Sequence, residues 1–211
     1  MSVQGVIFDA FGTLMKIQNG VHPYRQIYQK ARQQGRRPQA DDAFILMTKS
    51  LGLAEAADYF GIKIAAQELE AIQSALDEEL AGVQAFPDAI DAVGALKEAG
   101  LRVGICSNLA QPYGGAVRRL FPCMHGYGFS FEIGCAKPSP AIYQTTFELM
   151  GVRPIRNESG PTVLMVGDSL RCDQDGPRAV GIGGYLLDRS GKTGFSSLME
   201  FAQFVLASKL G

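Results

Sequence analysis

The sequence lacks an excess of charge of either sign, and it lacks long apolar runs. Its 211 residues carry 20 Lys plus Arg against 21 Asp plus Glu, so the overall charge offers no general attraction for nucleic acid or an anionic membrane. No apolar run approaches the roughly 18 residues that a transmembrane helix needs, and the N-terminus has no secretory signal pattern. These absences predict a cytoplasmic protein without a nucleic-acid or membrane partner, in which an anion can bind only at a local site.

Cysteine is sparse, with four residues in the chain. Cys106, Cys123, Cys135 and Cys172 follow neither a zinc-ligand nor a CxxC spacing, so we expect free thiols. Apolar residues are plentiful at 46%, enough to bury a core in one domain or in a core domain that carries an insertion. The 25 glycines concentrate at 114–115, 126–128 and 181–184, which predicts tight connections between short elements.

Three short apolar segments each end in a polar residue. Their near-continuous hydrophobicity is typical of strands that are buried on both faces of a parallel sheet, and helical stretches with proline and glycine boundaries alternate with them. This alternation predicts an α/β fold with a Rossmann-like, doubly wound parallel sheet, in which ligands bind at the carboxyl ends of the strands. The segments with their following residues are Val3–Phe8 with Asp9, Leu101–Cys106 with Ser107, and Thr162–Gly167 with Asp168.

Residues 16–85 break this alternation, because they carry helical periodicity and no convincing strand. The stretch from Tyr24 to Ala31 has apolar or aromatic residues at the i, i+3, i+4, i+7 spacing of a buried helical face. We therefore predict a core domain made of residues 1–15 and 86–211, and an inserted α-helical cap domain made of residues 16–85.

The segment from Phe8 to Leu14 is the most informative part of the sequence. It places Asp9 directly after a buried strand and before a glycine-containing turn, where a carboxylate can act as a nucleophile and form an ester intermediate. Hydroxyl groups nearby can hold developing negative charge, and a lysine can keep Asp9 ionised. Suitable residues follow along the chain: Ser107 with Asn108, Lys137 before Pro138, and Asp168 with Asp173.

These markers, in this order and over nearly the whole chain, resemble the four motifs of the haloacid dehalogenase (HAD) superfamily, with its helical C1-type cap between the first two motifs. The resemblance implies a hydrolase that acts on a small anionic molecule through an intermediate on Asp9. It implies that the hydroxyl groups of Thr13 and Ser107 bind negative charge on the substrate. It also implies that Asp173 binds Lys137 or a metal-bound water. The catalytic residues are then Asp9, Thr13, Ser107, Lys137 and Asp173, and the substrate-binding residues are Ser107, Asn108 and Lys137.

Magnesium is the expected cofactor. If Asp9 and Asp168 lie close together, their repulsion needs more positive charge than one lysine provides, and Mg²⁺ binds one or two carboxylates together with water and phosphate oxygens. The resemblance adds the backbone carbonyl of Phe11, so that the predicted metal ligands are Asp9, Phe11 and Asp168. The predicted activity is hydrolysis of a small phosphorylated metabolite through an aspartyl-phosphate.

Phe11 departs from the pattern of the resembling phosphatases, which have an aspartate there as general acid and base, a group worth about 10²–10⁴-fold in rate. An aromatic residue at this position is similar to the 2-haloacid dehalogenases, and so is Tyr143, six residues after Lys137. Those enzymes work without metal and have small polar residues at the position of Asp168. Two alternatives therefore stay open: a dehalogenase with an ester intermediate on Asp9, and a catalytically weakened binding module.

The predicted cap begins with six basic residues and no acidic residue between Lys16 and Arg37. Arg25, Arg32 and Arg36 are expected on one stripe of the first cap helix, either as a solvated face or with one arginine that grips a substrate carboxylate or phosphate. Some enzymes of the superfamily that this sequence resembles hydrolyse phosphonates, and they use a lysine of the cap to form a Schiff base. The conceivable counterparts are Lys30, Lys49 and Lys63, none of which lies in a recognisable motif. The oligomeric state is not predicted.

Overall fold

A computed structural model of the chain describes residues 3–18, 20–157 and 160–210. Within them the strands are β1 (Gly5–Phe8), β2 (Met15–Ile17), β3 (Val83–Ala85), β4 (Arg102–Ser107), β5 (Gly126–Phe129), β6 (Arg156–Asn157), β7 (Gly160–Pro161), β8 (Val163–Gly167) and β9 (Gly183–Leu186). The first group of helices is α1 (Pro23–Gln33), α2 (Asp42–Thr48), α3 (Leu53–Tyr59), α4 (Ala66–Ala81) and α5 (Pro87–Glu98). The second is α6 (Gln111–Leu120), α7 (Ser130–Ile133), α8 (Pro140–Leu149), α9 (Gly176–Arg178) and α10 (Leu198–Leu210), with a π-helical turn at Leu170–Asp175 before α9.

The central sheet has five strands in the order β5-β4-β1-β8-β9, and every neighbouring pair is parallel. Its strands are buried on both faces because their side chains alternate between two apolar clusters. Val6 and Phe8 of β1 pack in the larger cluster with residues of α5 and α10. Ile7 points to the other face and packs with Ile142 and Tyr143 of α8. Helices cover both faces, so the predicted doubly wound α/β fold is confirmed.

From β1 the chain continues to β4 and β5 on one side of the sheet, and it then crosses over to β8 and β9 on the other side of β1. Strands β1 and β8 therefore flank the point where the strand order reverses, which is where ligands bind in folds of this kind. Asp9 follows β1 and Asp168 follows β8. The three strands expected from the sequence are present, and the polar residues predicted at their ends do lie at one edge of the sheet.

Helices α1 to α4, residues 23–81, are called the helical segment below. They have a small apolar cluster of their own, in which Ile27 and Ala31 of α1 pack against Ile72 and Leu76 of α4. Tyr113 of α6 borders both this cluster and the larger cluster of the core. The periodic apolar faces seen in the sequence therefore do form a separate packed layer.

Two expectations for this region are wrong in detail. Residues 16–85 do contain strand structure, because β2 and β3 pair antiparallel where the chain leaves and re-enters the core; three-residue strands are too short to show an alternating pattern. Arg36 lies beyond the end of α1 at Gln33, so it does not continue the stripe of Arg25 and Arg32. Its guanidinium instead forms an ion pair with Asp42.

The glycine clusters that suggested connections lie largely in regular elements: 114–115 in α6, 126–128 in β5, and 183–184 at the start of β9. The glycines of β5 are there because α8 lies very close to the sheet. A Cβ atom on Gly128 would lie 1.8 Å from the Thr146 hydroxyl oxygen, so any larger residue would force the helix away from the strand. All four cysteines are free, as expected. In the described ranges no helix has both the length and the apolarity to cross a membrane.

Candidate active site

Asp9 is buried at the carboxyl end of β1, with 6% of its surface exposed. One carboxylate oxygen, Oδ1, accepts hydrogen bonds from the Ser107 hydroxyl at 3.0 Å and from the Lys137 ammonium at 2.7 Å. Ser107 reaches Asp9 because β4 lies next to β1 in parallel register. Both bonds go to the same oxygen, which leaves Oδ2 as the oxygen that can attack a substrate or bind a cation.

Lys137 is buried between two carboxylates. Its Nζ atom lies 2.7 Å from Asp9 Oδ1 and 2.7 Å from Asp173 Oδ1. Burial alone would lower the pKa of this lysine, but the negative charges of Asp9 and Asp173 outweigh that effect and raise it. Lys137 is therefore a permanent cation whose position is fixed by two partners.

Asp173 occupies the π-helical turn and is 1% exposed. It accepts the Lys137 ammonium at Oδ1 and the Ser169 backbone N–H at Oδ2, the latter at 2.9 Å. Burial raises the pKa of Asp173 to about 6, against the opposing charge of Lys137, so the carboxyl is ionised at neutral pH. Both oxygens of Asp173 are thus bonded within the protein, one of them to Lys137, and the role of Asp173 in positioning that lysine stays a prediction.

Asp168 lies at the end of β8 and, unlike Asp9, is exposed to solvent. Partial burial and the negative charge of Asp9 raise the pKa of Asp168. Its carboxylate lies directly against Gly12, where a Cβ atom would be 2.1 Å from Asp168 Oδ2. Gly12 also has a φ of +87°, so glycine is required there for both backbone conformation and close approach.

This arrangement fits a divalent cation. Asp9, Asp168 and Asp173 each offer an oxygen within 4.8 Å of the others, yet Lys137 is the one cation in contact with this group among the described residues. Because both oxygens of Asp173 are bonded within the protein, Asp9 Oδ2 and Asp168 are the carboxylate ligands left for a metal. The third predicted ligand, the Phe11 carbonyl, stays a prediction.

Two predicted site residues are placed differently from the others. The Asn108 side chain forms a two-way link with the backbone of Lys137, donating to its carbonyl at 3.0 Å and accepting its N–H at 2.7 Å. Its amide is thus engaged in holding the lysine loop. Thr13 is fully buried, and its hydroxyl has no hydrogen-bond partner among the described residues. Its oxyanion role stays a prediction.

Tyr143, the residue whose position is similar to the dehalogenase pattern, packs in the core and not at the solvent-facing side of the candidate active site. It is fully buried on the α8 face of the sheet, and its hydroxyl donates to the Cys172 carbonyl at 2.6 Å. The same hydroxyl lies close against Gly176, where a Cβ atom would be 2.2 Å away. Tyr143 therefore anchors the turn that carries Asp173.

The Phe11 side chain belongs to a chain of contacts that sequence reasoning missed. The centroids of the Phe11 and Tyr113 rings are 5.7 Å apart, and the ring planes form an angle of 89° in a T-shaped contact. The Tyr113 hydroxyl donates a hydrogen bond to Glu79 Oε1 at 2.5 Å. Glu79 is 3% exposed and accepts the backbone N–H groups of Val21 and His22 at Oε2. The helical segment is thereby tied to the core beside Asp9. One signal was available: Glu79 stands seven residues after Ile72 and three after Leu76, on the apolar stripe of α4.

Arg189 is a second residue that sequence reasoning missed. It donates to the Thr13 carbonyl at 2.8 Å and forms an ion pair with Asp88 at 3.0 Å. Its guanidinium also lies 3.8 Å from the centroid of the Phe86 ring. Arg189 therefore fixes the return connection at residues 86–88 to the loop that follows Asp9. No local pattern around Arg189 signals this, because its partners lie about 100 or more residues away.

The comparisons with known proteins agree with this geometry. A family model described as haloacid dehalogenase-like hydrolase matches residues 3–181. A phosphatase of Mycobacterium tuberculosis, MT3486, is 32% identical over 139 residues, which are 61% of this chain and 60% of that protein. The chain thus matches less than two thirds of the length of that relative.

Solved structures show the same fold. A HAD phosphatase from Thermococcus onnurineus aligns with a TM-score of 0.61 and 22% identity over 96% of this chain and 98% of its own. The L-2-haloacid dehalogenase from Xanthobacter autotrophicus also aligns with a TM-score of 0.61, at 18% identity over 97% of this chain and 99% of its own. At such low sequence identities both similarities show the fold alone. They do not distinguish a phosphatase from a dehalogenase.

Proposed function

The chain belongs to the haloacid dehalogenase-like hydrolases, and from that premise we propose that it is a Mg²⁺-dependent phosphatase of a small phosphorylated metabolite. The observation that carries the proposal is the exposed Asp168 beside the free oxygen of Asp9, in a group of three carboxylates with which Lys137 alone among the described residues forms ion pairs. A site of that charge calls for a cation, and a cation suits a phosphate substrate. The relationship to a protein named as a phosphatase supports the same activity.

In the proposed reaction Asp9 Oδ2 attacks phosphorus and the bond to the leaving oxygen breaks, which gives an aspartyl-phosphate and the leaving group as an oxyanion that takes its proton from solvent. Water then attacks the intermediate, releases inorganic phosphate and restores the carboxylate. Lys137 and the Ser107 hydroxyl hold Asp9 and lie where negative charge develops on the transferred group. Mg²⁺ bound at Asp9 and Asp168 would add positive charge at the phosphate oxygens.

Phe11 sets a limit on the substrates. It supplies no proton to the leaving oxygen, so we propose a preference for leaving groups that are stable as anions, such as phenolates and carboxylates. The absence of an acid at this position is also the observation that favours the second candidate, a 2-haloacid dehalogenase, because halide leaves without a proton. In that reaction Asp9 would attack carbon and release halide.

We also propose that residues 16–85 act as a cap that covers Asp9. Two contacts support this role: the Tyr113 bond to Glu79 at 2.5 Å beside Phe11, and the antiparallel pair β2–β3, which provides two adjacent connections to the core. Such an arrangement would exclude water from the intermediate while the leaving group departs.

The experiment that separates the candidates is a panel of 4-nitrophenyl phosphate, acetyl phosphate and 2-chloropropionate, each assayed with Mg²⁺ and with chelator. We expect release of inorganic phosphate only with Mg²⁺ and no release of chloride, with Asp9→Asn as the inactive control. Chloride release in the presence of chelator would instead establish the dehalogenase. Failure of all three substrates with a folded, Mg²⁺-binding protein would contradict the proposed phosphatase.

A further inference from the structure

A cleft of about 560 Å³ lies between α1, the residues that lead into α2, and Tyr113 of the core helix α6. This volume is within the range of small-molecule sites. Its core-side wall is Tyr113, whose ring contacts Phe11, two residues after Asp9. Tyr113 thus links the wall of the cleft to the segment that carries Asp9.

One face of α1 lines the cleft. Arg25, Tyr28 and Arg32 are spaced i, i+3 and i+7, so they share a helical face, and all three border the cavity. Ile27 and Ala31 lie on the neighbouring face and are buried in the apolar cluster of the helical segment. Packing of the apolar face thus fixes the orientation of α1 and directs the two arginines to the cleft.

The charge of this cleft is not balanced within the protein. Asp42 is an acidic residue on its wall, but Asp42 already receives two hydrogen bonds from Arg36, at 2.6 and 2.8 Å. Neither Arg25 nor Arg32 forms an ion pair with any residue that the structure describes. An oxyanion bound in the cleft would meet two arginines that are free to form charge-assisted hydrogen bonds.

Three tyrosines complete the walls, and their hydroxyl groups differ. Tyr24 donates to the Leu51 carbonyl at 3.1 Å, and Tyr113 donates to Glu79, so both rings are held in place as apolar surfaces. The Tyr28 hydroxyl is buried and has no partner among the described residues. Burial and the charge of Asp42 raise the pKa of Tyr28 to about 12, so this hydroxyl keeps its proton and remains a donor.

We infer that the cleft binds the leaving-group half of the substrate, and that this half is a planar or aromatic body with its own oxyanionic group, a carboxylate or a second phosphate, held by Arg25 and Arg32. The inference rests on the proposed phosphatase activity and specifies its substrate class. It also accounts for a basic stretch in which the sequence alone could not distinguish a solvated face from a substrate-binding one.

The test compares esters that differ only in the second anion: phenyl phosphate, 3-carboxyphenyl phosphate and benzene-1,3-diyl bisphosphate. We expect kcat/KM of the wild-type protein to be about tenfold or more higher for at least one of the two charged esters, and the better one identifies the second anion as carboxylate or phosphate. In Arg25→Gln and Arg32→Gln that preference should shrink several-fold, and in the double variant it should vanish. Arg25→Lys, which keeps the charge, should recover part of it.

The matched control is Arg37→Gln, which removes the same charge from the same segment at a residue that does not border the cleft. It should keep the wild-type preference, and equal losses in Arg37→Gln and Arg25→Gln would reduce the effect to net charge and overturn the subsite. A wild-type protein that hydrolyses all three esters with equal kcat/KM would also overturn it while leaving the phosphatase intact.

A binding measurement separates this inference from the proposed function. Calorimetry with 3-carboxyphenylphosphonate and phenylphosphonate, which resist hydrolysis, should show an affinity ratio of about tenfold that is lost in the double variant. If the ratio appears although no phosphate ester is hydrolysed, the cleft is an oxyanion site and the phosphatase assignment fails. Equal affinities for the two phosphonates would contradict the cleft assignment whatever the activity.

Discussion

At the edge of the sheet, Lys137 is buried between Asp9 and Asp173, whereas in the helical segment Arg25 and Arg32 border a cleft without an ion-pair partner in the described chain. The first arrangement is preorganised, because Lys137 and each of the two carboxylates are held by two contacts before a substrate arrives. The second leaves its charge available for a ligand. The comparison suggests that the core determines the reaction and that the helical segment determines which molecule undergoes it.

The largest expected effect is that of Asp9→Asn, which tests the core half of the comparison. The amide keeps the shape of the side chain but lacks a nucleophilic oxygen, so turnover should fall by at least about 10³-fold. Circular dichroism should show an unchanged fold. Asp91→Asn, an exposed residue of α5, is the control and should keep full activity. More than a few per cent of wild-type activity in a pure Asp9→Asn sample would remove Asp9 from the role of nucleophile.

Metal removal gives the next effect. Mg²⁺ at about 100 times its Kd should stabilise the folded state by about 2.7 kcal/mol, a rise in Tm of several degrees for a chain of this size. Asp168→Ala should abolish the rise, because Asp168 is the exposed carboxylate beside Asp9. Asp175→Ala, an exposed acid at the end of the π-helical turn that follows Asp168, should retain it. Identical melting curves with Mg²⁺ and with chelator would contradict the metal site.

A gain of activity is expected from Phe11→Asp, at the boundary between the two regions. A carboxylate there could protonate the leaving oxygen, so hydrolysis of alkyl phosphates should rise about tenfold or more. The edge-to-face contact with Tyr113 at 5.7 Å would be lost, which reduces the gain if that contact holds the segment closed. Phe11→Leu separates the two effects, since it removes the ring without adding a proton donor.

If Phe11→Asp folds and binds Mg²⁺ but hydrolyses no alkyl phosphate faster, the result counts against the proposed phosphatase. Loss of a measurable 2-haloacid activity in the same variant would favour the dehalogenase. Unchanged rates in both Phe11 variants would show that the ring has neither a chemical nor a closing role.

The two regions also differ in what the sequence could predict. The common location of Asp9, Ser107 and Asp168 could be predicted because each lies at or directly after the end of a buried strand, and parallel strands bring their carboxyl ends to one edge whatever the details of packing. The fold class followed from the same alternation. Local patterns of this kind are enough when the geometry is that of a regular sheet.

Contacts across the boundary could not be predicted, because they depend on how the layers pack. The Tyr113 bond to Glu79 and the Arg189 contact with Phe86 join residues that are 34 and 103 positions apart. The sequence showed the basic residues at the start of the helical segment but placed Arg36 on the same stripe as Arg25. In the structure α1 ends at Gln33, so Arg36 lies beyond this helix. The residue that lines the cleft together with Arg25 and Arg32 on the same helical face is Tyr28.

The smallest effect concerns Asp42→Asn, which tests whether the Arg36 pair is a structural part of the helical segment. The hydrogen bond from Arg36 holds the pKa of Asp42 below its usual range. A folded-state pKa below the unfolded value, about 3.9, contributes stability that is present above that value and is lost as pH falls through the folded pKa. Since the Arg36 side chain is 25% exposed, the contribution should be about 1 kcal/mol or less at neutral pH.

Urea unfolding of the wild type and Asp42→Asn at pH 7 and at several values below pH 4 measures this contribution. The variant should be less stable at pH 7, and the difference should close in acid, because protonated Asp42 no longer pairs with Arg36. Asp41→Asn, the exposed neighbour, should show no such convergence. A difference that stays constant with pH would mean that Asp42 acts through shape and not through charge. Asp42 itself lines the cleft, so its loss would also make the cleft more positive, and a changed preference for doubly charged esters in Asp42→Asn would indicate that the balance of charge in the cleft depends on Asp42.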